Sequence, residues 1–141
     1  MSAHIELSTA ATTSTAATYV YASNHGGAWT AIHDNASLTT VATEKITARR
    51  ACKAVIAVGF RTNSTITDQR YVNAAAELNG TTNIITPFFV AANSVLNGQI
   101  SGSFSYSFAT DDYLRHKFRT EEANKGAALS FLNFLTFIEV K

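Results

Sequence analysis

The chain reads as an α+β protein, an antiparallel sheet followed by two C-terminal helices, on three observations. Residues 99–108 (QISGSFSYSF) alternate strictly, with Ile100, Phe104, Tyr106 and Phe108 on one side and Gln99, Ser101, Ser103, Ser105 and Ser107 on the other. Thr110, Asp111 and Asp112 follow at once, an N-cap oxygen and two carboxylates suited to the positive end of a helix dipole. In LSFLNFLTFIEV the polar residues Ser130, Asn133, Thr136 and Glu139 recur every three positions, a stripe at helical spacing. Helices are therefore expected over Asp111–Lys125, capped by Gly126, and over Ala128–Ile138.

The earlier elements follow from alternation and turn chemistry. Ala3–Leu7 and Thr18–Ala22 are expected strands of an N-terminal hairpin joined by the small-residue tract Ser8–Thr18, with a third strand near Ala28–His33. Thr47–Arg61 reads as one long central strand, with Ala48, Cys52, Ala54, Ile56, Val58 and Phe60 inward and Arg49, Lys53, Val55, Ala57, Gly59 and Arg61 outward. The polar turn Thr62–Gln69 then leads into Arg70–Leu78, and these two strands are expected to pair as a hairpin. Asn79 and Gly80 end that strand, and Thr81–Val95, which holds the only proline, Pro87, reads as a long loop.

Composition sets the outer bounds. A chain of 141 residues that is 46% hydrophobic reads as a single domain, 1–141, with a core of its own. No apolar run approaches the roughly 20 residues of a membrane helix, so no membrane partner is expected. Cys52 stands alone, which excludes an intramolecular disulfide and reads as a small core residue. Net charge is +1, yet Lys45, Arg49, Arg50, Lys53, Arg61 and Arg70 face only Asp68 in their stretch of chain. That basic block is either a charged sheet edge or a polyanion-facing surface.

Catalysis has little to work with. His33 and Asp34 are adjacent on a strand and point apart, and Asp112 with His116 would be an ordinary i,i+4 pair on a helix. No phosphate loop follows Gly26 and Gly27, and no Cys/His spacing suits zinc. The chain is thus expected to be no enzyme, with no cofactor, no metal and no small-molecule substrate. Binding is better served. If the strands align in one sheet, Arg49, Lys53, Arg61, Asn73, Glu77, Gln99, Ser101 and Ser103 share one surface, where cations would neutralise phosphates and Asn, Gln and Ser would meet base edges or 2′-hydroxyls. The same pattern also describes the wet face of any antiparallel sheet.

Over Pro87–Ile138 the sequence resembles the coat proteins of small single-stranded RNA bacteriophages (levivirus type). TPFFVAANSVLN is similar to the end of that family's long loop, and FSYSFATDDYLRHKFRTEEANKGAALSFLNFLTFI to its last strand and terminal helices. ASLTTVATEK and RYVNAAAEL are weaker matches to its preceding hairpin. The resemblance implies a homodimer in which each subunit's helices lie on the partner's sheet, and an icosahedral shell around single-stranded genomic RNA. It implies a virion protein assembled in a bacterial cytoplasm. It also implies RNA contact, and translational repression through a hairpin, at Val55, Ala57, Gly59, Arg61, Asn73, Ala75, Glu77, Gln99, Ser101 and Ser103. The competing reading is a trimeric jelly-roll viral fibre head or capsid decoration protein. There Phe88–Leu96 and Gln99–Phe108 form a hairpin about Asn97–Gly98, and the C-terminus ends in strands. A small cytosolic enzyme is the third, predicting a monomer with a ligand pocket.

Overall fold

A computed structural model describes residues 1–7, 11–12, 19, 21, 28–61, 65–66, 70–85, 88–91, 94–95, 99–120, 128–129 and 134–141. Its strands are β1 (Ser2–Leu7), β2 (Ala11–Thr12), β3 (Trp29–Asp34), β4 (Thr39–Thr40), β5 (Lys45–Thr47), β6 (Cys52–Arg61), β7 (Thr65–Ile66) and β8 (Arg70–Leu78). They continue as β9 (Thr82–Ile85), β10 (Phe88–Ala91), β11 (Ser94–Val95), β12 (Gln99–Phe108), β13 (Tyr113–Thr120), β14 (Ala128–Leu129) and β15 (Phe134–Val140). Among the described residues there is no α-helix, only a 3-10 turn at Val41–Thr43.

Two antiparallel sheets carry the fold. The first runs β12-β6-β15-β1-β3; the second runs β10-β8-β13-β5-β4, with β9 also on β8. Short pairs join β7 to β11 and β2 to β14. The chain repeatedly crosses between sheets: β5 lies in the second, β6 in the first, β8 in the second, β12 in the first, β13 in the second and β15 in the first. That alternation is a jelly-roll, two sheets closed face to face by strands that switch layers.

Alternation along each strand supplies the core. Ala3 and Ile5 of β1, Ala54, Ile56 and Val58 of β6, Phe108 of β12 and Leu135 and Phe137 of β15 meet Ile46, Ala76 and Leu114 of the second sheet in one buried cluster. Each large aliphatic or aromatic side chain there contributes about 1.5–3 kcal/mol of burial. Phe108 ties the first sheet together internally, edge-on to Tyr106 at 5.0 Å and to Phe137 at 5.2 Å between ring centroids.

Turns at one end are held by polar side chains. Asp34 accepts from the backbone amides of Ala36, Leu38 and Thr39 and from the Thr39 hydroxyl; these donors hold its carboxyl below the usual range against the opposing effect of burial. Asn79 and Gly80, at φ 50° and 75°, turn β8 into β9 with Thr81 N donating to Leu78 O at 3.1 Å. A Cβ on Gly80 would sit 3.0 Å from the Tyr113 hydroxyl. Met1 and Glu139 close the same end: the terminal ammonium and Arg50 both donate to the Glu139 carboxylate, which these hydrogen bonds pull down to about 2.

The α+β expectation is thus corrected, first at the C-terminus. Tyr113–Thr120 is β13 and Phe134–Val140 is β15, so the helices expected over Asp111–Lys125 and Ala128–Ile138 are absent from the residues described there. Asp111 has φ 68°, and Asp112 is a turn residue: its carboxylate accepts from Ala109 N at 2.7 Å and from Asn79 Nδ2 at 2.7 Å. The presumed helix cap is a strand-to-strand turn that moves the chain from one sheet to the other.

The expected hairpin of Thr47–Arg61 with Arg70–Leu78 does not form either. β6 pairs with β12 and β15, while β8 pairs with β13, β9 and β10 in the other sheet. The expected long strand is also broken at Ala48–Ala51, where the chain changes sheets between β5 and β6. β12, β3 and the alternation of β6 are as expected. The long loop instead holds β9, β10 and β11. Tyr19 and Tyr21, expected in a strand paired with β1, lie outside strands; β1 pairs with β15 and β3. The jelly-roll alternative's strand-ended C-terminus is present, but its hairpin is not, since β10 pairs with β8 and β12 with β6. Asn97–Gly98 lies outside the described residues.

Candidate assembly face

The outward side of the five-stranded sheet is built in rows by its register. Ser103, Ala57, Thr136, His4 and His33 are successive neighbours from β12 to β3. Ser101, Gly59, Phe134, Glu6 and Thr30 form the row beside it, and Ser105, Val55, Ile138 and Ser2 the row on its other side. Ser101, Ser103, Ser105 and Ser107 are exposed, and Ile138 and Val140 remain 50% and 45% exposed although both are aliphatic. The side chains of β6 and β12 here are short, so the surface between them has low relief. The β1–β3 flank is polar: His4 Nε2 donates to Glu6 Oε1 at 2.9 Å, because a carboxylate can only accept. His4 Nδ1 shares a 2.7 Å hydrogen bond with Thr136 Oγ1, and Ser2 Oγ one of 2.8 Å with His33 Nε2.

The outward side of the second sheet is built differently. Glu77 of β8 and Glu44, which precedes β5, are fully buried there. Lys117 pairs with Glu77, and the Tyr21 hydroxyl donates to the same carboxylate at 2.6 Å. Arg115 donates Nε to Thr43 O at 2.8 Å and Nη2 to Glu44 Oε2 at 3.2 Å, with its guanidinium carbon 3.2 Å from the centre of the Tyr21 ring. Burial raises the Tyr21 phenol above its ordinary value, Arg115 opposing, so it acts as a neutral donor. Lys45 lies over Tyr113 at 3.9 Å.

The residues expected to share one RNA-contacting surface are split between these faces. Lys53, Ser101 and Ser103 are exposed on β6 and β12, and Arg61 is paired in register with Gln99 on the same two strands. Asn73 and Glu77 belong to β8 in the opposite sheet, and Glu77 is consumed by its internal ion pair. Arg49 lies in the loop before β6, donating to Ser37 O at 2.8 and 3.2 Å. Of the positions the resemblance added, Val55, Ala57 and Gly59 are on β6 and Ala75 is buried on β8. Sequence reasoning missed Tyr21, Glu44, Arg115 and Lys117. The strict alternation of Tyr113, Arg115 and Lys117 against Leu114 and His116 was the available signal for the last two.

The pairs singled out for catalysis are apart or occupied. Asp34 is used by its own turn, Asp112 by Asn79 and Ala109, and His116 is inside the core. Among the described residues no group of three or more His, Cys, Asp or Glu is placed to hold a metal ion.

No protein-family model matches the chain, and no curated protein matches its sequence. Solved structures do match. Murine APRIL at pH 5.0 is similar over 99% of this chain and 100% of its own, with a TM-score of 0.66 and 12% identity. The Eiger TNF of S. frugiperda is similar over 100% of this chain and 92% of its own, with a TM-score of 0.61 and 11% identity. The globular domain of zebrafish complement 1qA covers 99% and 97%, with a TM-score of 0.60 and 8% identity. The chain therefore has a jelly-roll fold similar to tumour-necrosis-factor-type and complement-1q-type domains. This overturns the levivirus-type resemblance, and with it the homodimer with helices on a partner's sheet, the RNA-filled icosahedral shell and the repressor role, all of which presuppose that other fold.

Proposed function

We propose that the chain is a non-catalytic binding domain that assembles as a homotrimer, the jelly-roll head or capsid decoration protein of a virion. Its partner is then a receptor or a capsid surface. The observation that carries this reading is the outward face of the β12-β6-β15-β1-β3 sheet. Its short Ala57, Gly59 and serine side chains permit close approach, and its exposed Ile138 and Val140 lie beside Val55 with nothing of this chain described over them. A contact between that face and a different surface of the next copy is heterologous, and such a contact closes into a ring when the rotation allows. The polar groups examined for chemistry support a binding role too, since Asp34 and Asp112 are spent on turns.

The test is the mass in solution by native mass spectrometry, with Ala57→Arg as comparison. Wild type should have three times the chain mass of 15.2 kDa. Ala57→Arg, which points a guanidinium out of the middle row, should give a folded monomer. A wild-type monomer, or a trimer indifferent to that substitution, overturns the reading.

A further inference from the structure

His116 occupies an unusual place for an imidazole. It points inward from β13, is fully buried, and lies with its ring 4.8 Å from that of Trp29 at 52°. Trp29 belongs to β3 and Gly59, whose backbone hydrogen-bonds the ring, to β6. His116 therefore spans the two layers of the sandwich, a side chain of one sheet held by two strands of the other.

Its surroundings are apolar on every side described. The inward residues are Leu114 on β13, Ala76 on β8, Ala54, Ile56 and Val58 on β6, Leu135 and Phe137 on β15, and Ala3 and Ile5 on β1. None of them carries a charge. The charged groups of the neighbouring strands, Arg115 and Lys117 on β13, Glu77 on β8, Lys45 on β5 and the nearby Glu44, belong to the outward face of the sheet. On the first sheet, Glu6 and His4 pair with each other on its outward side, while Lys53 lies exposed at the far end of β6.

We propose that His116 is a proton-operated switch, whose protonation in mild acid places a charge between the two sheets and opens the sandwich. Burial is the main cause that lowers its proton affinity, from 6.5 to about 4, with the Gly59 hydrogen bond opposing. The sign follows from linkage. Between pH 6.5 and 4 the unfolded chain takes up a proton that the folded chain refuses, so stability falls as the pH drops through that window. The folded-to-unfolded ratio loses roughly a hundredfold from this one group. Below pH 4 both states hold the proton and this contribution to the slope ends.

Trp29 is the only tryptophan and one of four histidines lies on it, so the switch carries its own reporter. The experiment is urea unfolding of wild type and His116→Gln at pH 7.5 to 4, followed by Trp29 fluorescence. Wild type should lose roughly a hundredfold more of its folding equilibrium across that range than the variant. Parallel profiles overturn the proposal. Should His116→Gln fail to fold, the imidazole proton resonances of native wild type decide. One histidine titrating near pH 4, with Trp29 quenched in step, supports the switch, and four histidines all titrating near their ordinary value overturn it.

Discussion

The outward face of the β12-β6-β15-β1-β3 sheet presents serine hydroxyls, Ala57, Gly59 and two exposed aliphatics, whereas the outward face of the other sheet buries two carboxylates under cations and a tyrosine from its own chain. Both faces come from strands that alternate strictly. They differ in what covers them. On the second face Tyr21 supplies the cover, and burying Glu77 and Glu44 is tolerable because Lys117, Arg115 and the Tyr21 hydroxyl each satisfy part of their charge. On the first, no segment of the chain is described over Val55, Ile138 and Val140, and the surface carries almost no charge to discourage contact with another protein. One face is finished within the subunit; the other is suited to completion by assembly.

The largest effect should come from breaking the finished face. Lys117→Met leaves Glu77 buried without its cation, and should cost about 3 kcal/mol or more in urea unfolding. Adding Glu77→Leu should recover most of that loss, because the desolvated charge is gone. Tyr21→Phe keeps the ring over Arg115 but removes the hydroxyl from Glu77, and should cost about 1.5–3 kcal/mol by the same measurement. Ser105→Ala on the other face should change the stability of the folded subunit by less than about 0.5 kcal/mol, since it removes neither a buried contact nor a described partner. That contrast, large on one face and small on the other, would fail if the serine substitution cost as much as the tyrosine one.

A pH measurement sharpens the same comparison at the rim. Glu139 is held down to about 2 by Arg50 and the terminal ammonium, below an unfolded value of 4.5. Its stabilising effect is therefore complete above about pH 4.5 and lost as the pH falls toward 2. In Glu139→Gln, acid unfolding should be shallower over that lower range, leaving the His116 window above it unchanged.

Much of the fold was legible, and the misreadings have physical causes. The inward set of β6, Ala54, Ile56 and Val58, and the exposed serines of β12 are where alternation puts them. Alternation says which side of a strand is buried but not which sheet it joins. This is why β6 and β8, consecutive and similarly patterned, were paired although each belongs to a different layer. Asn79–Gly80 carries the hairpin dipeptide and turns β8 into β9; read only as a strand end, it left β9, β10 and β11 as loop.

The helix error had two sources. Thr110-Asp111-Asp112 is as good a turn as a cap, because Asp accepts backbone amides in both. Over Phe134–Val140 a period of three in four polar residues outweighed the period of two in burial, and Leu135 and Phe137 are buried while Ile138 is exposed. Polar residues at a strand end mislead in this way: Glu139 is there to pair with Met1 and Arg50. The ion cluster around Tyr21 had no local signature, since Tyr21, Glu44, Glu77 and Arg115 come from four separate parts of the chain.

The difference between the two faces is tested most directly by cysteine accessibility in the assembled protein. Ser103→Cys places a thiol in the middle row of the open face, and Ala42→Cys places one in the exposed 3-10 turn beside the second sheet. Native Cys52, half-buried and with its thiol pushed up by burial, serves as the slow background. At concentrations where the trimer persists, Ser103→Cys should react with a maleimide at least about tenfold more slowly than Ala42→Cys, and catch up on dilution to monomer. Equal rates at every concentration, with both thiols freely labelled, would contradict the claim that copies of this chain cover that sheet.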